Sequence, residues 1–165
     1  MRSGRRPSPP RVPATQRSTV RPVRSPLPAD PTALPPLPEA FHRTLADGLG
    51  ALRLALEPAQ LDQLEAYVRL LLAWSPAINL TAIREPVAVA REHLLDSLSA
   101  VAAIGGGAAG GILDLGSGAG LPGIPLAVAI PGARVLLVES VAKKAAFLQT
   151  AIDALGLASR VTVAN

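Results

Sequence analysis

Residues 114–120, Asp-Leu-Gly-Ser-Gly-Ala-Gly, have the makeup of a loop that holds a ligand by its main chain. Glycine at 116, 118 and 120 permits positive φ and lets a bound molecule approach the backbone closely. A helix placed just after such a loop presents N–H groups that favour an anionic group nearby. Asp114, at the end of an apolar run, can accept hydrogen bonds from an ammonium group or from the loop's own amides. Glu139 ends a second apolar run twenty-five residues later, where an acid can accept bonds from two ribose hydroxyls.

A ligand that satisfies all of these groups carries a carboxylate, an ammonium and a ribose. S-adenosylmethionine (AdoMet) has the three together, so the expected chemistry is methyl transfer. A rival reading exists. Gly118-x-Gly120-x-x-Gly123 matches a dinucleotide fingerprint with Glu139 about 20 residues on, as in an NAD(P)- or FAD-binding oxidoreductase. That reading leaves Asp114 and Gly116 unexplained, and Pro122 deletes an amide where a pyrophosphate needs donors. A third reading is a non-catalytic RNA-binding module. Ligand-free alternatives are a plain tight turn, a loop-bracing carboxylate at 114 and a solvated charge at 139.

Strands and helices must present this loop, and the pattern around it supplies them. Residues 112–115 read as a buried parallel strand, 123–130 as a short helix and 135–138 as a second buried strand. Residues 141–155 place Val141, Ala145, Leu148, Ile152 and Leu155 on one helical face, and Gly156 can end that helix. Residues 161–163 begin a third strand. This alternation predicts an α/β, doubly wound, Rossmann-like sheet of which three strands are present, in a sequence that stops partway through the fold. Residues 105–111 read as a glycine-rich turn.

Upstream, Phe41, Leu45, Leu49, Leu52 and Leu56 recur at helical spacing over 39–56, weakened by Gly48 and Gly50. Pro58 opens a second helix with Leu61, Leu64, Val68, Leu71 and Leu72 on one face, and Pro76 is expected to end it. Residues 78–83 have no clear assignment. Pro86 starts a third helix running to about Ala103 and carrying His93, Asp96 and Ser97. Three units result: a tail over 1–38, a helical region over 39–104 and the glycine-loop unit over 105–165.

The tail holds eleven of the seventeen prolines and seven arginines against the single acid Asp30, and is expected to be disordered. It is read as an inert extension or as a basic arm that holds RNA phosphates loosely. The net charge of +4 comes from this segment, because the remainder has nine Lys or Arg against eleven Asp or Glu. Apolar residues make up 49% of the chain, yet its aromatics are only Phe41, Tyr67, Trp74 and Phe147, so the core must be aliphatic. Trp74 and Tyr67 read as packing residues. The absence of cysteine removes disulfides and thiolate metal sites and fits a reducing, cytoplasmic setting. No run approaches the ~20 apolar residues of a membrane span, so no membrane partner is expected, and His42 and His93 show no metal-ligand spacing. His93, Asp96 and Ser97 share a helix face and read as a local brace or as the rim of a pocket. Asn79 and Thr81 cap or brace the preceding loop, or reach the site. Arg84, Arg91, Lys143 and Lys144 read as solvated charges or as phosphate contacts.

The stretch from Asp114 to Ala127, with Leu-Pro-Gly-Ile-Pro-Leu over 121–126, resembles the first motif of the bacterial small-subunit rRNA guanine-N7 methyltransferases, the RsmG or GidB family. Trp74 followed by Ile-Asn-Leu-Thr-Ala-Ile over 78–83, His-Leu-Leu-Asp-Ser-Leu over 93–98, and Glu139-Ser140 with Lys143-Lys144 and Phe147-Leu148 agree in order. The resemblance covers roughly residues 58–164 and leaves out the tail. It implies a class I methyltransferase fold that takes AdoMet and methylates guanine N7 in 16S rRNA on assembled or nearly assembled 30S particles, acting as a monomer. By position it implies cofactor contacts at Gly116 and Leu121 in the loop and at Glu139, Ser140 and Val141 for ribose and adenine. The reading of the residues adds Asp114, Gly118 and Gly120. An Asp is common in the family where Glu139 stands here. The family's contacts beyond its third strand, a cofactor-site arginine among them, have no counterpart here. Guanine N7 carries no proton, so no catalytic acid or base is expected.

Overall fold

The computed structural model describes residues 26–104 and 111–165. Its sheet has three parallel strands, β1 (Ile112–Leu115), β2 (Val135–Val138) and β3 (Val161–Ala164), in that spatial order. Pairing is in register from Ile112 opposite Val135 to Leu115 opposite Val138, and from Val135 opposite Val161 to Val138 opposite Ala164. Helix α6 (Gly123–Ala129) links β1 to β2, and α7 (Ala142–Ala154) links β2 to β3. The strand–helix alternation read from sequence is therefore the fold, an α/β Rossmann-like sheet.

Period-2 alternation decides which side of the sheet is dry. Val135, Leu137 and Val161 are buried beneath α6 and α7, and Asp114 shares their face because it pairs with Leu137. Leu113, Leu115 and Leu136 point the other way and are exposed. Strands expected to be buried on both faces are thus buried on one.

The helical region forms a layer over α6 and α7. Helix α1 (Glu39–Leu52) buries Phe41, Leu45 and Leu49, and ends where Arg53 takes a left-handed φ of 53°. Leu56, the last residue of that pattern, lies outside the helix, and it and Leu54 are partly buried against the core. Helix α2 (Pro58–Ile78) is the long element of this layer and buries Leu64, Tyr67, Val68, Leu70, Leu71 and Trp74. It runs through Pro76 instead of ending there. So near the C-terminus the missing amide removes one helical bond, and Asn79, at φ 55°, closes the helix with its N–H on the Ser75 carbonyl at 2.9 Å.

The third expected helix is present but not uniform. It comprises α3 (Pro86–Val89), a π-helical segment (Ala90–Leu95), α4 (Asp96–Ser99) and α5 (Val101–Ile104). Glu85 caps its start, both carboxylate oxygens accepting from Val87 and Ala88 amides at 3.0 and 2.7 Å. The glycine-rich turn expected over 105–111 lies, except for Gly111, outside the described residues.

The expectation of a disordered 1–38 needs correction in part. Residues 1–25 lie outside the described residues, whereas 26–38 pack against the body. Leu37 is buried, and Leu27 and Leu34 rest against the core. Trp74 Nε1 donates to the Pro28 carbonyl at 2.7 Å, and Arg69 Nη1 to the Pro31 carbonyl at 3.3 Å. Proline limits regular structure here to one 3-10 turn, Pro31–Ala33, capped by Asp30 accepting from the Thr32 amide at 2.8 Å, but its carbonyl still accepts, so a chain with leucines between prolines can dock without a ladder.

Candidate functional site

The loop between β1 and α6 is built by its own hydrogen bonds. The Gly116 and Ser117 amides both donate to the Val138 carbonyl, at 2.8 and 3.0 Å, which ties the loop to the end of β2. Gly120 N–H closes a turn on the Ser117 carbonyl at 2.6 Å, and Leu121 N–H reaches the same oxygen at 3.3 Å. Gly120 has φ 91°, and a Cβ there would also run into Ile124 and Leu148, so two separate constraints demand glycine. At Gly123 the demand is close approach alone: a Cβ would strike Leu137 and the Asp114 carboxylate.

Both acids singled out from sequence flank this loop. Asp114 Oδ2 accepts from the Gly123 amide at 3.1 Å, at the first residue of α6. Burial pushes the Asp114 carboxyl above the usual carboxylate range, against the opposing pull of the Gly123 amide and the Ser117 hydroxyl. Glu139 is buried, with Oε2 accepting from Gly118 N–H at 2.8 Å and Oε1 from Val141 N–H at 2.7 Å. Its main chain is fixed too, because Glu139 N–H donates to the Ala164 carbonyl and Asn165 Nδ2 donates to the Glu139 carbonyl at 2.7 Å. The acid at 139 is thus a clasp between the glycine loop and the start of α7, and not a solvated strand-end charge.

These bonds restrict what the loop can offer a ligand. The amides of 116, 117, 118, 120, 121 and 123 all donate within the protein, and Pro122 has none. Ala119 N–H is the loop amide with no partner among the described residues. The structure therefore brings Asp114, Gly116, Gly118, Gly120, Leu121, Glu139, Ser140 and Val141 to one end of the sheet. Ser140 and Val141 are exposed there.

The other residues singled out from sequence divide. His93 Nε2 lies 2.8 Å from Thr81 Oγ1, and Ser97 Oγ donates to the His93 carbonyl at 2.6 Å, which is a brace between the π-helical segment and the preceding loop. The same segment also borders a cleft of about 380 Å³, walled by Glu92, His93, Asp96 and Ser99 on one side and Leu121 and Pro122 on the other. Asn79 shapes the end of α2, and Arg84 Nε donates to the Thr81 carbonyl at 3.1 Å. Trp74 packs on Phe147 with ring centroids 5.5 Å apart. Among the described residues no three His, Cys, Asp or Glu side chains converge, and no helix is long and apolar enough to cross a membrane.

Two residues of the site were not assigned to this role from sequence. Tyr67, read as packing, also donates its buried hydroxyl to the Ala119 carbonyl at 2.8 Å. Gly123, used only in the dinucleotide fingerprint, is the partner of Asp114. The first depends on a contact 52 residues away in sequence, which local pattern does not encode.

A sequence model described as rRNA small subunit methyltransferase G matches residues 60–165. A ribosomal RNA small subunit methyltransferase G from Cupriavidus pinatubonensis is 46% identical over 129 residues, which cover 73% of this chain and 55% of the relative. The protein of that name from Nitrosospira multiformis is 51% identical over 113 residues, 68% of this chain and 51% of the relative. One from Anaeromyxobacter sp. strain Fw109-5 is 46% identical over 121 residues, 73% and 55% of the two chains. The chain spans about half the length of these curated relatives. The matched region contains α6, α7, all three strands, the glycine loop and both flanking acids, so the chain belongs to the rRNA small subunit methyltransferase G family.

Proposed function

We propose that this chain carries the cofactor-binding part of an AdoMet-dependent methyltransferase that modifies guanine N7 in 16S rRNA of the small ribosomal subunit. One observation carries the reading: two carboxylates, at 114 and 139, are tied to opposite sides of the same glycine loop through Gly123 N–H and Gly118 N–H. The residues fit the ligand. Asp114 is bonded to the chain through Oδ2, and its Oδ1 has no partner among the described residues, which suits an ammonium group. Ala119 N–H suits a carboxylate. Each oxygen of Glu139 accepts one N–H and keeps a second lone pair for a ribose hydroxyl. Ser140 and Val141, which follow Glu139, belong to the same proposed contact set, as do Gly116 and Leu121.

Bound AdoMet supplies an electrophilic methyl on a sulfonium. The chain's task is placement and charge balance, because guanine N7 has a lone pair and no proton to remove. The cleft beside Leu121 and Pro122 adjoins the loop and supports the approach of a base from that side. No residue of this chain is assigned as acid or base, and no metal takes part in this reading. The cellular setting proposed is the cytoplasm, where the small subunit is the substrate. The dinucleotide reading is disfavoured by the same geometry, since the loop amides a pyrophosphate needs are already bonded within the protein.

Isothermal titration of this chain with AdoMet and, separately, with NAD tests the proposal. Binding of AdoMet and not NAD is expected, with Glu139→Ala weakening it by about tenfold or more. NAD binding alone, or undiminished AdoMet affinity in the alanine variant, would overturn the reading.

A further inference from the structure

Helix α2 is fastened to the sheet unit by three side chains at 60, 63 and 67, spaced to share one helix face. Gln60 Nε2 donates to the Val128 carbonyl at 2.6 Å, Gln63 Nε2 to the Leu155 carbonyl at 2.7 Å, and Tyr67 Oη to the Ala119 carbonyl at 2.8 Å. The first two grip helix ends. Only Tyr67 reaches the glycine loop, and its side chain is fully buried there.

The position of that contact matters because of what surrounds it. The peptide unit between Gly118 and Ala119 carries the loop amide with no partner among the described residues. That unit is anchored on its N-terminal side, where Gly118 N–H donates to Glu139. On its C-terminal side the Ala119 carbonyl accepts from Tyr67, while the same peptide's Gly120 N–H donates to the Ser117 carbonyl at 2.6 Å. The torsions on either side of the Ala119 amide are therefore set by Glu139 on one side and by Tyr67 together with the Gly120–Ser117 turn on the other. Burial, with the Asp114 carboxylate nearby, pushes the Tyr67 phenol far above its ordinary range, so it stays a donor throughout the physiological pH range.

We propose that Tyr67 is a positioning residue of the cofactor loop: its hydroxyl clamps Ala119 so that the Ala119 N–H is aimed at the carboxylate of the amino-acid end of AdoMet. This rests on the methyltransferase reading given above. It makes the helical region part of the cofactor site through a hydrogen bond to the loop that holds the ligand. The gain is pre-organisation, since a donor held in place loses less freedom on binding than a mobile one.

Tyr67 is the only tyrosine of the chain, so it can be changed and observed singly. Tyr67→Phe keeps the ring that packs on Phe147 and removes the donor. The variant and the unaltered chain are titrated with AdoMet and with 5′-methylthioadenosine, which has the sulfur-bearing nucleoside without the amino-acid end. AdoMet affinity is expected to fall about fivefold or more while methylthioadenosine affinity is unchanged. Gln63→Ala, which removes a similar bond away from the loop, is expected to lower the thermal midpoint without splitting the two ligands. Equal weakening toward both ligands in Tyr67→Phe, or none toward either, overturns the proposal. An unaltered chain that does not bind AdoMet overturns the assignment of the cofactor site to these residues and this proposal with it. Should Tyr67→Phe not fold, the chain is labelled with 3-fluorotyrosine and followed by fluorine NMR. A resonance that moves with AdoMet and not with methylthioadenosine supports the clamp, and one that moves with neither overturns it.

Discussion

Asp114 shows stability and binding pulling in opposite directions at a single residue. Its carboxyl is half-buried, accepts one amide from Gly123, and titrates above the ordinary carboxylate range because burial penalises the charged form. An acid whose folded value is raised contributes stability that is fully present below its ordinary value and is lost as pH rises through the folded value. At neutral pH the fold therefore carries the cost of keeping a carboxylate beneath α6. Asp114→Asn keeps an oxygen for the Gly123 amide and removes that cost. Its thermal midpoint at pH 7 is expected to equal or exceed that of the unaltered chain, with a shallower fall as pH rises above the carboxylate range. AdoMet affinity is expected to drop about tenfold or more, because an amide cannot neutralise the ammonium. Thermal unfolding across pH, paired with titration calorimetry, checks both. Loss of stability at pH 7 with unchanged affinity would make Asp114 a structural brace only.

Two glycines of α1 separate packing from propensity at the level of an element. Gly50 faces open space, so Gly50→Ala is expected to stabilise by up to about 1 kcal/mol through helix propensity alone. A Cβ on Gly48 would collide with both Cδ atoms and with Cγ of Leu95 in the π-helical segment. Gly48→Ala is therefore expected to destabilise by about 1–2 kcal/mol, since overpacking outweighs the propensity gain. Chemical denaturation of the two variants should give opposite signs, and two gains of similar size would mean that α1 does not seat on Leu95. From sequence both glycines look alike, as mere weaknesses in a helical pattern. What sequence does convey is periodicity: β2 lies where its four apolar residues put it, and Pro58 opens α2 as its fixed φ allows. The loop and its acids were legible for the same reason, because glycine spacing and strand ends are local. Contacts across the chain were not. Packing of 26–38 depends on Trp74 and Arg69, and the role of Tyr67 depends on where Ala119 lies. The wider turns of 90–95 were not legible either, because Ala-Arg-Glu-His-Leu-Leu there suits an ordinary helix equally well.

At the largest scale the described residues form a two-sided body. Helices α1 and α2, with the segment over 26–38, thicken the face of the sheet already covered by α6 and α7. The opposite face presents Leu113, Leu115 and Leu136 at 59, 72 and 39% exposure, beside the outer edge of β1, which no strand of the three-stranded sheet pairs. An apolar sheet face next to an unpaired edge is a template for association between chains. This chain is therefore expected to self-associate with rising concentration, in contrast to the monomer that the family resemblance implies. Replacing Leu113, Leu115 and Leu136 with threonine keeps strand propensity and removes the apolar surface. Sedimentation velocity should show the triple variant as a monomer over the range in which the unaltered chain associates, with the thermal midpoint little changed. The contrasting substitution, Leu137→Thr, alters the covered face, where the side chain is fully buried, and is expected to cost about 2–4 kcal/mol without affecting association. An unaltered chain that stays monomeric throughout would show that this face is too small or too interrupted to drive contact. A triple variant that unfolds would show instead that these leucines support the sheet from outside, and that its stability is not supplied by the helical side alone.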